Sequence, residues 1–66
     1  MQIHVNGEQK ALADSATLSD LVEELGLTGR RIAIELNMEI IPRSEHETTL
    51  LKDGDQLEIV HAIGGG

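Results

Sequence analysis

The dipeptide Asn6-Gly7 does most to restrict the folds open to this sequence. Ahead of it, Met1, Ile3 and Val5 alternate with Gln2 and His4, the period-two pattern of a half-buried strand. Asn-Gly is the strongest short signal for a two-residue hairpin turn, so the chain is expected to return antiparallel over residues 8–12. Whatever follows has to pack on, or pair beside, that hairpin.

A helix is expected next. Leu18, Leu21, Val22 and Leu25 recur at i, i+3, i+4 and i+7, which gathers them on one face, while Asp20, Glu23 and Glu24 fall on the other. Thr17 stands at the N-cap position, and Asp20 at the third helical position completes a motif resembling a capping box. Gly26 supplies the left-handed stop, and Leu27 is placed to fold back as the apolar contact that accompanies it.

Beyond Thr28-Gly29, residues 31–36 alternate with Ile32, Ile34 and Leu36 on one side, and read as a third strand turned by Asn37-Met38. Glu39, Ile40 and Ile41 form a short fourth strand that Pro42 ends, because proline has no N–H for a ladder. Residues 43–49 are polar and read as irregular, Leu50-Leu51 is expected to re-enter the core, and Asp53-Gly54-Asp55 is a turn launching a last strand over residues 56–63. In that strand Leu57 and Ile59 point inward and Glu58, Val60 and Ala62 outward. Two strands, a helix, and strands that return to the first pair predict an α+β fold of β-grasp type: a mixed sheet of four to five strands with one main helix packed on one face. The last strand then lies centrally beside the first, within one domain spanning residues 1–66.

Composition narrows the function. Sixty-six residues support a single core, since a chain this short buries only about 60% of its unfolded surface. There is no Phe, Tyr or Trp to stack on a ligand and no Cys to serve as thiol nucleophile, thiolate ligand or disulfide. Twelve acidic against five basic residues give a formal charge of −7, which repels nucleic-acid backbones and anionic lipid and favours a basic protein partner. No basic leader with a long apolar run opens the sequence and no stretch approaches the roughly 20 apolar residues of a membrane span, so a cytoplasmic location is expected.

The chemistry is expected at the other end. Gly64, Gly65 and Gly66 lack Cβ atoms and contribute nothing to packing, so they read as a flexible tail offering access. Fully extended they reach about 10 Å, thin enough to thread another protein's active site. A terminal carboxylate, with an ordinary pKa of about 3.3–3.7, is ionised and inert toward nucleophiles, so Gly66 must be activated before it carries anything. Adenylation by ATP supplies such activation, after which a sulfur or amine nucleophile displaces AMP.

Other constellations are weaker. Asp53-Gly54-Asp55 imitates part of a calcium loop but lacks the later ligands, and reads as a turn. His4, His46 and His61 are widely separated, without helical pairing, and are expected at the surface or rim rather than on a metal. Ser44 near His46 has no evident oxyanion hole. Lys10 and Lys52 read as solvated side chains, and without a Gly-rich phosphate loop the chain is not expected to bind ATP itself. No catalytic or metal site is therefore expected within it.

Several short motifs occur in a specific order: Met1-Gln2-Ile3 with Asn6-Gly7-Glu8, Ala33-Ile34-Glu35-Leu36-Asn37, Ile41-Pro42-Arg43, and Asp53-Gly54-Asp55 leading to Ile63-Gly64-Gly65-Gly66. Taken end to end, the sequence resembles the ThiS family, the ubiquitin-like sulfur carriers of thiamine biosynthesis. That resemblance implies adenylation of Gly66 by a ThiF-type adenylyltransferase using ATP, conversion to a thiocarboxylate by way of a sulfur-donating enzyme, and delivery of sulfur to a ThiG-type thiazole synthase. Gly65 is then the partner in the terminal diglycine and Gly64 an extension serving access. It implies a protein cosubstrate rather than an enzyme; Val60 and Ala62, on the outer sheet face leading to the tail, are then expected to form an apolar patch that docks the domain on both enzymes. A closely related reading is the small subunit of molybdopterin synthase, which shares the fold and terminal diglycine; from a different class comes a ubiquitin-like modifier whose Gly66 is joined to lysines. A purely structural interaction module is the remaining alternative, and predicts that Gly65-Gly66 is dispensable.

Overall fold

The computed structural model describes residues 1–61. In chain order the elements are β1 (Gln2–Val5), β2 (Glu8–Ala11), α1 (Leu18–Glu24), β3 (Ile32–Leu36), β4 (Glu39–Ile41), a 3-10 turn (Arg43–Glu45) and β5 (Gln56–His61). The strands form one sheet in the order β2-β1-β5-β3-β4. β1 and β5 run parallel and the other neighbours antiparallel, so the sheet is mixed and the last strand sits at its centre.

Both tight hairpins use an asparagine in the left-handed region. Asn6 (φ 52°) and Gly7 (φ 84°) join β1 to β2 with Val5 opposite Glu8. Asn37 (φ 49°) and Met38 (φ 73°) join β3 to β4 with Leu36 opposite Glu39. Asn adopts this backbone at small cost, whereas a long side chain such as Met38 is strained there.

The helix is defined at both ends by local hydrogen bonds. Thr17 Oγ1 accepts from the Asp20 N–H at 3.2 Å, and Asp20 Oδ2 accepts from the Thr17 N–H at 2.9 Å, the reciprocal pair of a capping box. At the other end the Leu27 N–H donates to the Val22 carbonyl at 2.9 Å and the Gly26 N–H to the Glu23 carbonyl at 3.0 Å, with Gly26 at φ 72°. That pattern is a Schellman stop, and Leu27 folds back against the core as the motif requires. Helix α1 stops at Glu24, one residue short of the fourth member of its apolar stripe, so Leu25 becomes the C-cap and is exposed.

The core is aliphatic. Ile3 and Val5 from β1, Leu18 and Leu21 from α1, Ile34 from β3, and Leu57 and Ile59 from β5 share one cluster with Leu12, Ala16 and Leu51. The helix thus covers one sheet face only. Leu50 departs from the expectation that the Leu50-Leu51 pair re-enters the core together: it is 60% exposed, while Leu51 is buried. Consecutive residues of extended chain point opposite ways, and here the Leu51 N–H donates to the Ala16 carbonyl while Leu50 bridges Thr17. The polar stretch after Pro42 is also more ordered than expected, since the Glu45 N–H donates to the Pro42 carbonyl and Thr49 Oγ1 to the Glu45 carbonyl at 2.7 Å.

Candidate functional site

The site is the far end of β5, because that strand leads directly into residues 62–66. Ala62, Gly64, Gly65 and Gly66, four of the residues singled out in the sequence, lie outside the described residues. What the structure describes is the platform from which they follow. β5 is hydrogen-bonded to β1 on one side and β3 on the other, and the β3 pairing continues to Ile32 opposite His61. On the β1 side the ladder ends when the chain turns at Asn6. There the Asn6 carboxamide substitutes for a strand: its Oδ1 accepts from the Ile59 N–H at 2.8 Å and its Nδ2 donates to the Ile59 carbonyl at 3.1 Å.

The opposite end of β5 is held in a parallel manner. Asn37 Oδ1 accepts from the Gln56 N–H at 3.0 Å, and its Nδ2 donates to Asp55 Oδ1 at 3.0 Å. Asp55 is buried, and its Oδ2 accepts from the Lys52 N–H at 2.7 Å. The Asp53-Gly54-Asp55 segment is therefore a turn whose carboxylates satisfy backbone donors, with Asp53 Oδ1 also accepting from the Gln2 N–H at 2.7 Å. A carboxylate engaged with backbone amides is a structural acceptor rather than a calcium ligand.

Val60 is 55% exposed on the sheet face away from the helix. It stands opposite Ala33 on β3; the next row on that face holds Glu58 opposite Glu35, which has Ile40 of β4 on its other side. Ile40 is also exposed. On the helix side, a cavity of about 460 Å³ beside the end of β5 is lined by residues including Asn6, Lys10, Leu25, Leu27, Ile59 and His61.

The remaining candidates separate. Of the three histidines only His61 lines this region. His4 Nδ1 lies 3.3 Å from Gln56 Nε2. His46, expected at the surface or rim, is instead 8% exposed, because the turn after β4 tucks its ring under the chain with Nε2 3.1 Å from the Ile41 carbonyl. That contact commits the ring to backbone rather than to Ser44. Lys10 is half-buried and lies 3.6 Å from Glu24, so it is not simply solvated. Among the described residues no group of three or more His, Asp or Glu side chains is placed to hold a metal ion, and no helix is long and apolar enough to cross a membrane. The roles of Asn6 and Asn37 were missed from sequence; their turn propensity was visible, but their side-chain partners are 53 and 18 to 19 residues away.

A mixed five-stranded sheet, one helix across one face, and a central last strand define a ubiquitin-like β-grasp domain. The model of the ThiS family matches residues 3–66, and the chain belongs to that family. It is 35% identical over 65 residues to the sulfur carrier protein ThiS of Bacillus subtilis, covering 97% of this chain and 98% of that protein. The crystal structure of the thiamine biosynthesis protein ThiS from Geobacter metallireducens superposes with a TM-score of 0.86 at 32% identity, covering both chains completely. A thiazole synthase of Paramagnetospirillum magneticum is 44% identical over all 66 residues, and the chain spans only 20% of that protein's length.

Proposed function

We propose that this chain is a sulfur carrier, a protein cosubstrate whose Gly66 carboxylate is the working group. A carboxylate oxygen of Gly66 attacks the α-phosphorus of ATP in the site of a ThiF-type adenylyltransferase, and pyrophosphate leaves. Sulfide-level sulfur, delivered as hydrosulfide by a sulfur-donating enzyme, then attacks the acyl carbon and AMP leaves, and the resulting thiocarboxylate gives up its sulfur to a ThiG-type thiazole synthase in thiamine biosynthesis. Gly64 and Gly65 provide a backbone without side chains, which lets the reacting carbon enter a narrow site in each enzyme. ATP is bound by the activating enzyme and not by this chain.

The observation that carries this reading is the placement of β5: the central strand of the sheet is the last described element before the glycine triplet in sequence, in a chain whose family match extends through Gly66. Thiazole synthase as recipient is supported by the two thiazole synthases with a matching segment covering 20% of their length. Joining donor and acceptor in one polypeptide raises their effective concentration, an arrangement expected of proteins that exchange a group.

The exposed sheet face around Val60 is proposed to register the domain on its partners, with Ala62 continuing the patch. Val60, Ala33 and Ile40 provide apolar area, and Glu35 and Glu58 an acidic centre suited to a basic partner. Pyrophosphate release in the presence of the ThiF-type enzyme and ATP tests the proposal. The full chain is expected to support it, and a chain lacking Gly65-Gly66 is not; equal release from both contradicts the reading.

A further inference from the structure

The Asn6 carboxamide is a side chain doing the work of a strand. The β1–β5 ladder pairs His4 with Gln56 and Val5 with Leu57, and its last backbone bond runs from the Asn6 N–H to the Leu57 carbonyl at 2.9 Å. The hairpin then carries the chain away to β2. Ile59, one dipeptide further along β5, directs both its N–H and its carbonyl to the β1 side, where the Asn6 carboxamide meets them at 2.8 and 3.1 Å. A primary amide presents the donor and acceptor of a peptide group, and two simultaneous bonds fix direction as well as distance. Asn6 makes these contacts from a left-handed backbone, φ 52°.

We propose that Asn6 is a positioning residue for the carboxyl transfer: its carboxamide holds the exit end of β5 so that the terminal residues start from a fixed frame when they enter the activating enzyme. This rests on the carrier reading above. Without the carboxamide, Ile59 loses both partners on that side. The residues at that end of β5 then come loose, and each has to be ordered again in the reactive complex. The cost falls on the step in which the carboxylate is held against ATP rather than on docking, because Val60 lies on the opposite sheet face from Ile59 and keeps its pairing with Ala33 of β3.

Two variants test this. Asn6→Gly keeps the left-handed turn while deleting the carboxamide, and Asn6→Asp keeps an acceptor for the Ile59 N–H while losing the donor to its carbonyl. The Ile59 amide is expected to exchange with solvent about tenfold faster in Asn6→Gly, relative to the Ile34 amide, and by less in Asn6→Asp. With the ThiF-type enzyme and ATP, kcat for pyrophosphate release should fall about five- to tenfold in Asn6→Gly while KM for the chain stays within about twofold, Asn6→Asp lying between. Unchanged exchange at Ile59 overturns the clamp, as does faster exchange with an unchanged kcat, which marks Asn6 as structural only. A wild-type chain that releases no pyrophosphate overturns the carrier reading and this proposal together; a competent wild type beside an Asn6→Gly variant of equal kcat overturns this proposal alone.

Discussion

Glu35 and Glu58 stand directly opposite one another on adjacent antiparallel strands, on the sheet face that the helix leaves open. Like charges in that relationship repel, and apolar residues flank them: Ile40 beside Glu35, and Ala33 opposite Val60 in the next row. An unfavourable pair at the centre of an exposed face suits a surface that is completed by a partner's cation.

Replacing Glu58 by Gln is therefore expected to stabilise the isolated domain by about 0.3 kcal/mol at low ionic strength, an effect that fades as salt screens the pair. The same change should slow association with the ThiF-type enzyme. Thermal unfolding and stopped-flow binding at two salt concentrations check both parts; a domain that is less stable, or one that binds as fast as before, contradicts the role given to this pair.

Val60→Arg puts a cation and a long stem where the face offers an exposed aliphatic. Stability should change by less than about 0.5 kcal/mol because the site is on the surface, while affinity for the activating enzyme should fall about tenfold or more. Calorimetric titration against a melting curve separates these effects, and unchanged affinity removes Val60 from the docking surface.

Met38 occupies φ 73° with its side chain 90% exposed, so it takes the strain of the left-handed region without compensating burial. Met38→Gly is expected to stabilise the fold by roughly 0.5 kcal/mol, the balance of relieved strain against the greater freedom of glycine in the unfolded chain. Chemical denaturation measures it; a loss of stability would show that Met38 makes contacts worth more than its strain.

Local rules accounted for much of the architecture. Asn6-Gly7, the Thr17/Asp20 box and the Gly26-Leu27 stop each act within a few residues, and all three appear as the sequence implied. The central position of β5 followed from needing somewhere to pair the last strand beside the first. Leu50 was misjudged because hydrophobicity does not say which of two adjacent leucines the backbone turns inward. His46 was misjudged because its burial depends on reaching the Ile41 carbonyl across a turn. The two asparagine clamps were hidden for a related reason: a turn propensity is local, whereas the Asn6 to Ile59 bonds close a separation of 53 residues. Gly66 was singled out by elimination and by family resemblance, and its chemistry belongs to a reaction rather than to a fold.

The central claim is that Gly66 carries sulfur. Intact-mass measurement of the chain after incubation with ATP, the ThiF-type enzyme and a sulfur donor tests it most directly. The expected result is a mass gain equal to replacing one oxygen by sulfur, localised by fragmentation to Gly66 and absent without ATP. A chain that keeps its original mass under conditions in which the enzyme is active, or one that gains mass at another residue, contradicts it.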